Sequence, residues 1–380
     1  MRRAMRVTVL GGGPGGLYFS ALWKRRHPGH EVRLIEQNPA DATWGFGVVF
    51  SDRALEFLRE DDPETVDLIA PRMETWNDIT IVHRGQGIAI DGMGFSAIGR
   101  LELLQLLQQR ARSAGVAMMF GTAVRSPGDL DGDLIVAADG VNSLVRQAFA
   151  SEFGSSLSYH GAKFAWYGTR RRFDTLTQTF VENELGTFNA HHYRYCGDMS
   201  TFIVECDPAT WERAGLDRAS EEESRRTCEQ VFAGTLQGHG LISNRSIWRS
   251  FPWVWNERWY VRNMVLIGDA LRTAHYSIGS GTRLAIEDAL ALVKALEAEP
   301  ADLSTALALY EAERRPIVEK LVAASRRSAE WYEQFPKHMR LSPADLAMSY
   351  IRRSGRVDDE RLRQTAPRFM QRYDAARRTA

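Results

Sequence analysis

Three glycines, Gly11, Gly13 and Gly16, stand as G-x-G-x-x-G directly after the apolar residues Val7, Val9 and Leu10 and open a helix-forming stretch. In that setting, the turn N–H groups and the positive end of the following helix can hold a pyrophosphate. Gly11 permits the tight turn, Gly13 lets a phosphate approach the backbone, and Gly16 lets the helix lie close on the strand. Glu36 follows Gly16 by twenty positions, at the end of the run Val32, Leu34, Ile35, where a carboxylate can accept hydrogen bonds from adenosine ribose hydroxyls. This is a dinucleotide-binding pattern, and by itself it does not separate NAD from FAD. Two later segments end an apolar strand on an acid beside a glycine: DLIVAADG, with Asp139-Gly140, and VLIGDA, with Gly268-Asp269. An aspartate so placed binds sugar hydroxyls, orders a loop around phosphate, or simply makes a turn.

The elements around these motifs alternate. Arg6 to Glu36 reads as strand, glycine turn, helix, strand; Trp44 to Gly99 is irregular, with short strands expected at 79–83 and 88–90. Gly99 opens a helix in which Leu103, Leu106, Leu107 and Ala111 share a face. From about Tyr159 to Trp259 the texture turns aromatic and half-alternating, with strands expected over 177–181, 187–195 and 201–205. Met264 to Ile267 returns to the apolar strand type, a glycine-rich turn and a helix follow, and the charged helical remainder is expected to break at Pro316 and Pro343. The fold class is therefore α/β: a Rossmann-type part over 1–157 and 260–325, an inserted antiparallel sheet over 158–259 facing the substrate, and a C-terminal helical segment over 326–380.

A chain of 380 residues can bury a sizeable core. Lys plus Arg and Asp plus Glu number 48 each, so no long-range field draws nucleic acid or an anionic membrane, and neither is expected as a partner. Cys196, Cys206 and Cys228 show no metal-binding or paired spacing, no metal site is expected, and the apolar stretch after Arg2, Arg3 and Arg6 is too short for a signal peptide. A cytoplasmic protein is the expectation.

Taken together, the motifs resemble the class A flavin-dependent aromatic monooxygenases, whose fold is that of p-hydroxybenzoate hydroxylase, over nearly the whole chain. The resemblance implies FAD as cofactor, NADH or NADPH as reductant, and a small aromatic substrate hydroxylated with O2. It places Gly11, Gly13, Gly16 and Glu36 on the adenosine diphosphate half, Asp139 on the FAD and NAD(P)H path, Asp269 on the ribityl chain, and Arg100 near the pyrophosphate. Gly279, Gly281 and Thr282, in AHYSIGSGT, would cradle the flavin ring through N–H groups at a helix start, and Gly47 and Val48 would lie against it. Leu271-Arg272 and Tyr276 stand where the broader family carries an Ala-His pair and a proline. With the runs TWGFGVVFSD (43–52), MSTFIVEC (199–206) and NRSIWRSFPWVWNERW (244–259), that loop resembles the branch of salicylyl-CoA 5-hydroxylase and 2-aminobenzoyl-CoA monooxygenase flavin domains; parts of it also resemble the violacein-pathway tryptophan hydroxylase. The chain stops before any old-yellow-enzyme-like domain, so no fused second reaction is expected.

The favoured substrate is an aroyl-CoA. The alternatives are tryptophan or another secondary-metabolite aromatic, or a reductase or dehydrogenase that does not activate oxygen. Oxygen activation belongs to the cofactor, which leaves the protein to exclude water, aim the ring and deprotonate it. His275 in the flavin loop, and His191 with Tyr193 on one face of an expected strand, are the candidate catalytic residues; His192 and Arg194 take the other face. Arg170, Arg171 and Arg172 form the densest basic cluster available to CoA phosphates.

Overall fold

The apolar runs around the glycine motifs assemble into one buried sheet in a computed structural model that describes residues 4–51 and 55–379. Parallel strands run in the order Ala117–Met119, Glu31–Ile35, Arg6–Leu10, Leu134–Ala137 and Met264–Leu266, and the short antiparallel strand Tyr260–Val261 closes one edge. Val9, Leu34, Leu134 and Val136 are wholly buried, as parallel strands with both faces covered require. The helix Pro14–Arg26 packs against the helices Arg100–Ala114 and Gly281–Ala298, and the three motif turns lie at strand ends of this sheet.

A second sheet carries the aromatic region. Its order is Leu241–Ile242, Ser155–Thr169, Met199–Cys206, Gly186–Cys196, Leu176–Asn183, Ile79–His83 and Gln86–Ile90, with Arg249–Asn256 also pairing to Ser155–Thr169. Residues 79–90, which the sequence reading places in the first part, hydrogen-bond here: Ile79–His83 runs parallel to Leu176–Asn183. Side chains alternate across this sheet. Phe188, Ala190, Phe202 and Val204 face one core with Phe232 and Leu236 of the short helices at 208–236. Tyr193 and Phe180 face the other core, with Trp331, Tyr332 and Phe335 of the C-terminal helices. A three-stranded antiparallel sheet of Gly47–Ser51, Phe95–Gly99 and Glu74–Trp76 completes the fold. Asp52, at the end of the 43–52 run, and Arg2 and Arg3 lie outside the described residues.

One expected break is corrected. Pro343 starts the helix Pro343–Arg352, but Pro316 lies inside the single helix Leu303–Glu333. A proline there forfeits one backbone hydrogen bond. Buried Tyr310 and Arg314 before it and Val318 and Val322 after it anchor the helix on both sides.

Arg314 also joins a buried charge network. Asp288 Oδ2 accepts from the Gly268 N–H at 3.0 Å and from Arg272 Nη2 at 2.6 Å, while Oδ1 accepts from Arg314 Nε at 3.1 Å. Arg272 Nη1 returns a bond to the Gly268 carbonyl at 2.9 Å. Removing one partner from a buried pair leaves the other charge uncompensated, which costs about 3–5 kcal/mol. Asp288→Ala is therefore expected to lower unfolding free energy by about that amount in chemical denaturation. Asp288→Asn, which keeps an acceptor, should lose less; a loss of under about 1 kcal/mol in the alanine variant would show that the network does not hold this region together.

Candidate functional site

At the first turn, Gly11 adopts φ +106°, and a Cβ there would come within 2.3 Å of the Ala138 carbonyl oxygen. A Cβ on Gly16 would come within 2.2 Å of the Gly11 oxygen. These two glycines are demanded by the protein itself. Gly13 differs: it has φ −73°, caps the helix Pro14–Arg26, and faces open space, with no protein atom within 4 Å of the position a Cβ would take. A glycine that neither backbone conformation nor protein contact requires, at a helix N-terminus, is what close approach of a phosphate calls for. Glu36 lies beside it, one oxygen accepting from the Gly12 N–H at 2.7 Å and the other from the Asn38 N–H at 2.8 Å.

The two acidic turns face this cradle. Asp139 Oδ2 accepts the Leu144 N–H at 2.7 Å, so half the carboxylate caps a helix, while Oδ1 is buried without a partner; burial holds this acid above the usual carboxylate range. Arg146 donates to the Ala270 carbonyl at 3.2 Å and also to the Val141 carbonyl, tying the Asp139 loop to the Gly268-Asp269 turn. Asp269 is exposed between the buried Gly268 and Ala270, and crowding by the surrounding protein raises its pKa against the pull of Arg272 and Arg100. Arg100, whose buried Nε has no partner, begins the helix Arg100–Ala114. Gly281 faces open space at the start of the 18-residue helix Gly281–Ala298, whose first N–H groups, Thr282 included, have no intrahelical acceptor. Gly279 sits at φ +61°, where a Cβ would lie 3.3 Å from Val49 Cγ1, so the strand Gly47–Ser51 meets this loop. Orphaned Asp139 Oδ1 and Arg100 Nε, with open space at Gly13 and Gly281, fit a long dinucleotide carrying both hydroxyls and phosphates.

The four runs singled out in the sequence converge. Asn244 Nδ2 donates to the Thr43 and Gly45 carbonyls at 3.2 and 3.0 Å, and the Gly47 N–H donates to Thr201 Oγ1 at 2.9 Å. Tyr193 donates its hydroxyl to the Gly47 carbonyl at 3.0 Å and, buried, is pushed above the normal tyrosine range; it supports the Gly47 strand and offers no base. Val48 is buried beside it. The loop 274–282 packs onto the sheet through Tyr276, whose ring lies 4.9 Å from that of Phe164 and 5.6 Å from that of His191.

His191 and His275, both expected near substrate, do meet in one buried cluster, with groups that the sequence alone did not single out. His191 Nε2 lies 3.3 Å from Glu205, a carboxylate with 0% exposure and no well-aligned hydrogen bond. A ring nitrogen of His160, one of His275 and a Glu205 oxygen lie within 4.8 Å of one another. Burial lowers the pKa of both His191 and His275, so both are neutral at pH 7. On the opposite sheet face His192 is held neutral in the same way, stacked on Phe202 at 5.2 Å. The signal for Glu205 in the sequence was its parity with Ile203 and Thr201 on an apolar strand, which places a carboxylate on the site face.

The arginine triplet does not form a cluster. Arg170 is exposed and pairs with Asp198 at 3.5 Å, Arg171 lies over the Phe173 ring at 5.2 Å, and Arg172 is exposed. The three side chains leave the end of their strand separately.

Known proteins are similar to this chain in sequence and in fold. The family described as FAD binding domain matches residues 126–325. Salicyloyl-CoA 5-hydroxylase of a Streptomyces species is 41% identical over 92% of this chain and 70% of its own length. The 3-hydroxy-4-methyl-anthranilyl-[aryl-carrier protein] 5-monooxygenase of Streptosporangium sibiricum is 37% identical over 87% and 90%. Protodeoxyviolaceinate monooxygenase of Chromobacterium violaceum is 34% identical over 91% and 94%. Among solved structures, a probable FAD-dependent monooxygenase of Pseudomonas aeruginosa shares the fold with a TM-score of 0.69 at 20% identity, over 89% of this chain and 99% of that one.

Because a Gly13 side chain meets no protein, Gly13→Val is expected to fold with unchanged secondary structure yet lose bound FAD, read as the flavin absorbance per protein after gel filtration. Full FAD retention in a folded Gly13→Val protein would refute the placement of phosphate there. The neutral histidines give a second expectation. Unfolded, each titrates near 6.5; folded, His192 and His275 bind no proton at that pH, so the unfolded state takes up more protons as pH falls. Stability is then complete above about pH 7 and is lost as pH drops below about 6.5, by up to about 1.4 kcal/mol per pH unit for each histidine. Urea titrations across this range should show that loss, and His192→Gln, outside the site, should diminish it; an identical pH slope in the variant would sink the assignment.

Proposed function

The chain belongs to the FAD-binding-domain family of flavin-dependent aromatic monooxygenases, and from that premise we propose that it hydroxylates the ring of an aroyl-CoA thioester such as salicylyl-CoA or 2-aminobenzoyl-CoA. The observation that carries the substrate class is the 41% identity, over 92% of the chain, to a salicyloyl-CoA hydroxylase. Two relatives' names, salicyloyl-CoA and an anthranilyl group on an aryl-carrier protein, share an aromatic acid held through its carboxyl group on a large carrier. In both, a hydroxyl or amino group stands ortho to that carboxyl. Such a substrate presents one polar ring substituent for a buried pocket and a long tail for the protein surface.

Bound FAD supplies reduction by NAD(P)H and activation of O2, chemistry that no side chain here provides. The chain's own part is to hold and orient. Gly11, Gly13, Gly16 and Glu36 take the adenosine diphosphate, Arg100 and Asp139 flank the pyrophosphate, and Asp269 takes the ribityl hydroxyls. The N–H groups of Gly281 and Thr282 at the helix start would stabilise negative charge on the flavin ring, while Gly279, whose N–H donates to the Tyr276 carbonyl at 2.9 Å, would shape the loop beside it. Gly47 and Val48, braced by Tyr193, form the opposing wall. His191, His275 and the surrounding aromatic rings Phe164, Phe251, Tyr276 and Tyr332 enclose the substrate and exclude water. The reading places the enzyme in the cytoplasm without a nucleic-acid partner, in keeping with its balanced charge; among the described residues no helix is long and apolar enough to cross a membrane. Residues 1–157 with 260–325 form the FAD-binding part in this reading, 158–259 the substrate-facing part, and 326–380 the helical cover.

Binding energy from the remote CoA tail orients the ring, so thioesters should outperform free acids. The test compares NAD(P)H oxidation and 18O incorporation from O2 with salicylyl-CoA, 2-aminobenzoyl-CoA, salicylate, anthranilate and tryptophan. The thioesters are expected to stimulate oxidation at least about tenfold over the free acids, with 18O in the ring. If a free acid or tryptophan stimulates as well as any thioester, the CoA assignment fails. NAD(P)H oxidation without 18O in product would instead mark a reductase.

A further inference from the structure

Glu205, His160 and His275 surround a gap, and the partners of the neighbouring rings fix which atoms donate into it. Tyr332 donates its hydroxyl to Gln178 Oε1 at 3.3 Å, so the Gln178 amide nitrogen donates to His191 Nδ1 at 3.0 Å, and the His191 proton sits on Nε2, aimed at Glu205. His275 Nδ1 takes the Ser277 N–H at 3.4 Å and lies 2.9 Å from the Ser277 hydroxyl; with both donating to Nδ1, the His275 proton sits on Nε2, which is buried without a partner. His160 is the reverse case. Its Nδ1 lies 3.0 Å from Glu333 Oε1, a carboxylate that can only accept, so Nδ1 carries the proton and Nε2 presents a free lone pair, also buried without a partner.

The cluster thus holds a carboxylate faced by the Tyr276 hydroxyl and His191 Nε2, an N–H donor and a basic nitrogen, whose polar atoms lie within 4.8 Å of one another, a spacing that one hydroxyl can bridge. Only His160 leads outward. Its strand advances four residues, Tyr159 to Lys163, while the partner strand advances two, Pro252 to Ser250, and this bulge turns the buried His160 toward the cluster beside an exposed Tyr159. Beyond it Glu333, with 40% of its side chain exposed, also accepts the Gly161 N–H at 2.8 Å. Tyr276, Tyr332 and Arg353, packed against the same cluster from the loop and the C-terminal helices, have no such route: Arg353 donates to the Ser277 carbonyl at 2.7 Å and stacks on Tyr350.

We propose that Glu205 receives the hydroxyl of a phenolic substrate and that His160 and Glu333 carry its proton to solvent. The phenolic O–H bond breaks and an O–H bond forms on the Glu205 carboxylate. That proton passes to His160 Nε2 as the Nδ1–H bond breaks toward Glu333, which releases one proton to water. No electrons move, and the ring is left as the phenolate, whose raised electron density suits it to oxygen transfer. The proposal rests on the hydroxylase reading above.

The experiment follows proton release with a pH-indicator dye after FAD-loaded protein is mixed with salicylyl-CoA in weak buffer, in wild type, Glu333→Gln and His160→Gln. Glu333→Gln keeps an oxygen for the Gly161 N–H and loses the proton-accepting charge. Wild type should release the proton promptly. Both variants should release it at least about tenfold more slowly, with the FAD dissociation constant unchanged in both and the ligand dissociation constant unchanged in Glu333→Gln, and added imidazole should restore the rate. Equal release rates in wild type and both variants, or slow release that imidazole does not rescue, would overturn the relay while 18O incorporation by the wild type leaves the hydroxylase reading standing. A wild type that incorporates no oxygen from O2 into any aromatic fails the functional reading itself, and the relay falls with it.

Discussion

Asp288 is the constraint on which the arrangement of this protein depends. A carboxylate with no exposed surface depends on close charged and N–H partners, and here they come from two separate segments: the Gly268–Arg272 turn, through the Gly268 N–H and Arg272, and the long helix, through Arg314. Satisfying that one charge fixes the Gly268-Asp269 turn against the helix Gly281–Ala298, and fixes the long helix Leu303–Glu333 against both. The C-terminal helix that closes the second sheet therefore has its position set beside the nucleotide cradle, and Tyr332 and Glu333 reach the buried cluster from its far end.

The same low polarity that makes Asp288 demanding governs the site. Buried imidazoles lose the solvation that would support a positive charge, so His191 and His275 stay neutral and act as directional donors and acceptors. Neutral rings around a buried carboxylate present fixed hydrogen-bonding positions rather than charges. The aromatic rings packed around His275, from Tyr276 at 4.1 Å to Tyr332 at 6.2 Å, supply the dry walls. In the proposed reading the labour is divided: backbone N–H groups and glycines for the dinucleotide, side chains on a rigid sheet for the ring.

The amino-acid sequence by itself determined the parts that depend on local geometry. Gly11 and Gly16 are required where backbone meets backbone, Gly13 opens onto free space at the helix start, and a period of two along 187–195 put His191 and Tyr193 on one face; all of these are properties of a few consecutive residues. Pro343 began a helix for the same reason, while Pro316 did not end one, because buried contacts on both sides outweigh a single lost hydrogen bond. What only the tertiary structure decided are pairings across distance. The hairpin at 79–90 joins the second sheet, Tyr193 spends its hydroxyl on Gly47, Arg170 to Arg172 splay apart, and Glu205 and His160 meet His275 from segments far apart in the chain. No local pattern carries that information, since a buried polar atom's role is set by which partner reaches it, and reach is a property of the packed core rather than of the chain.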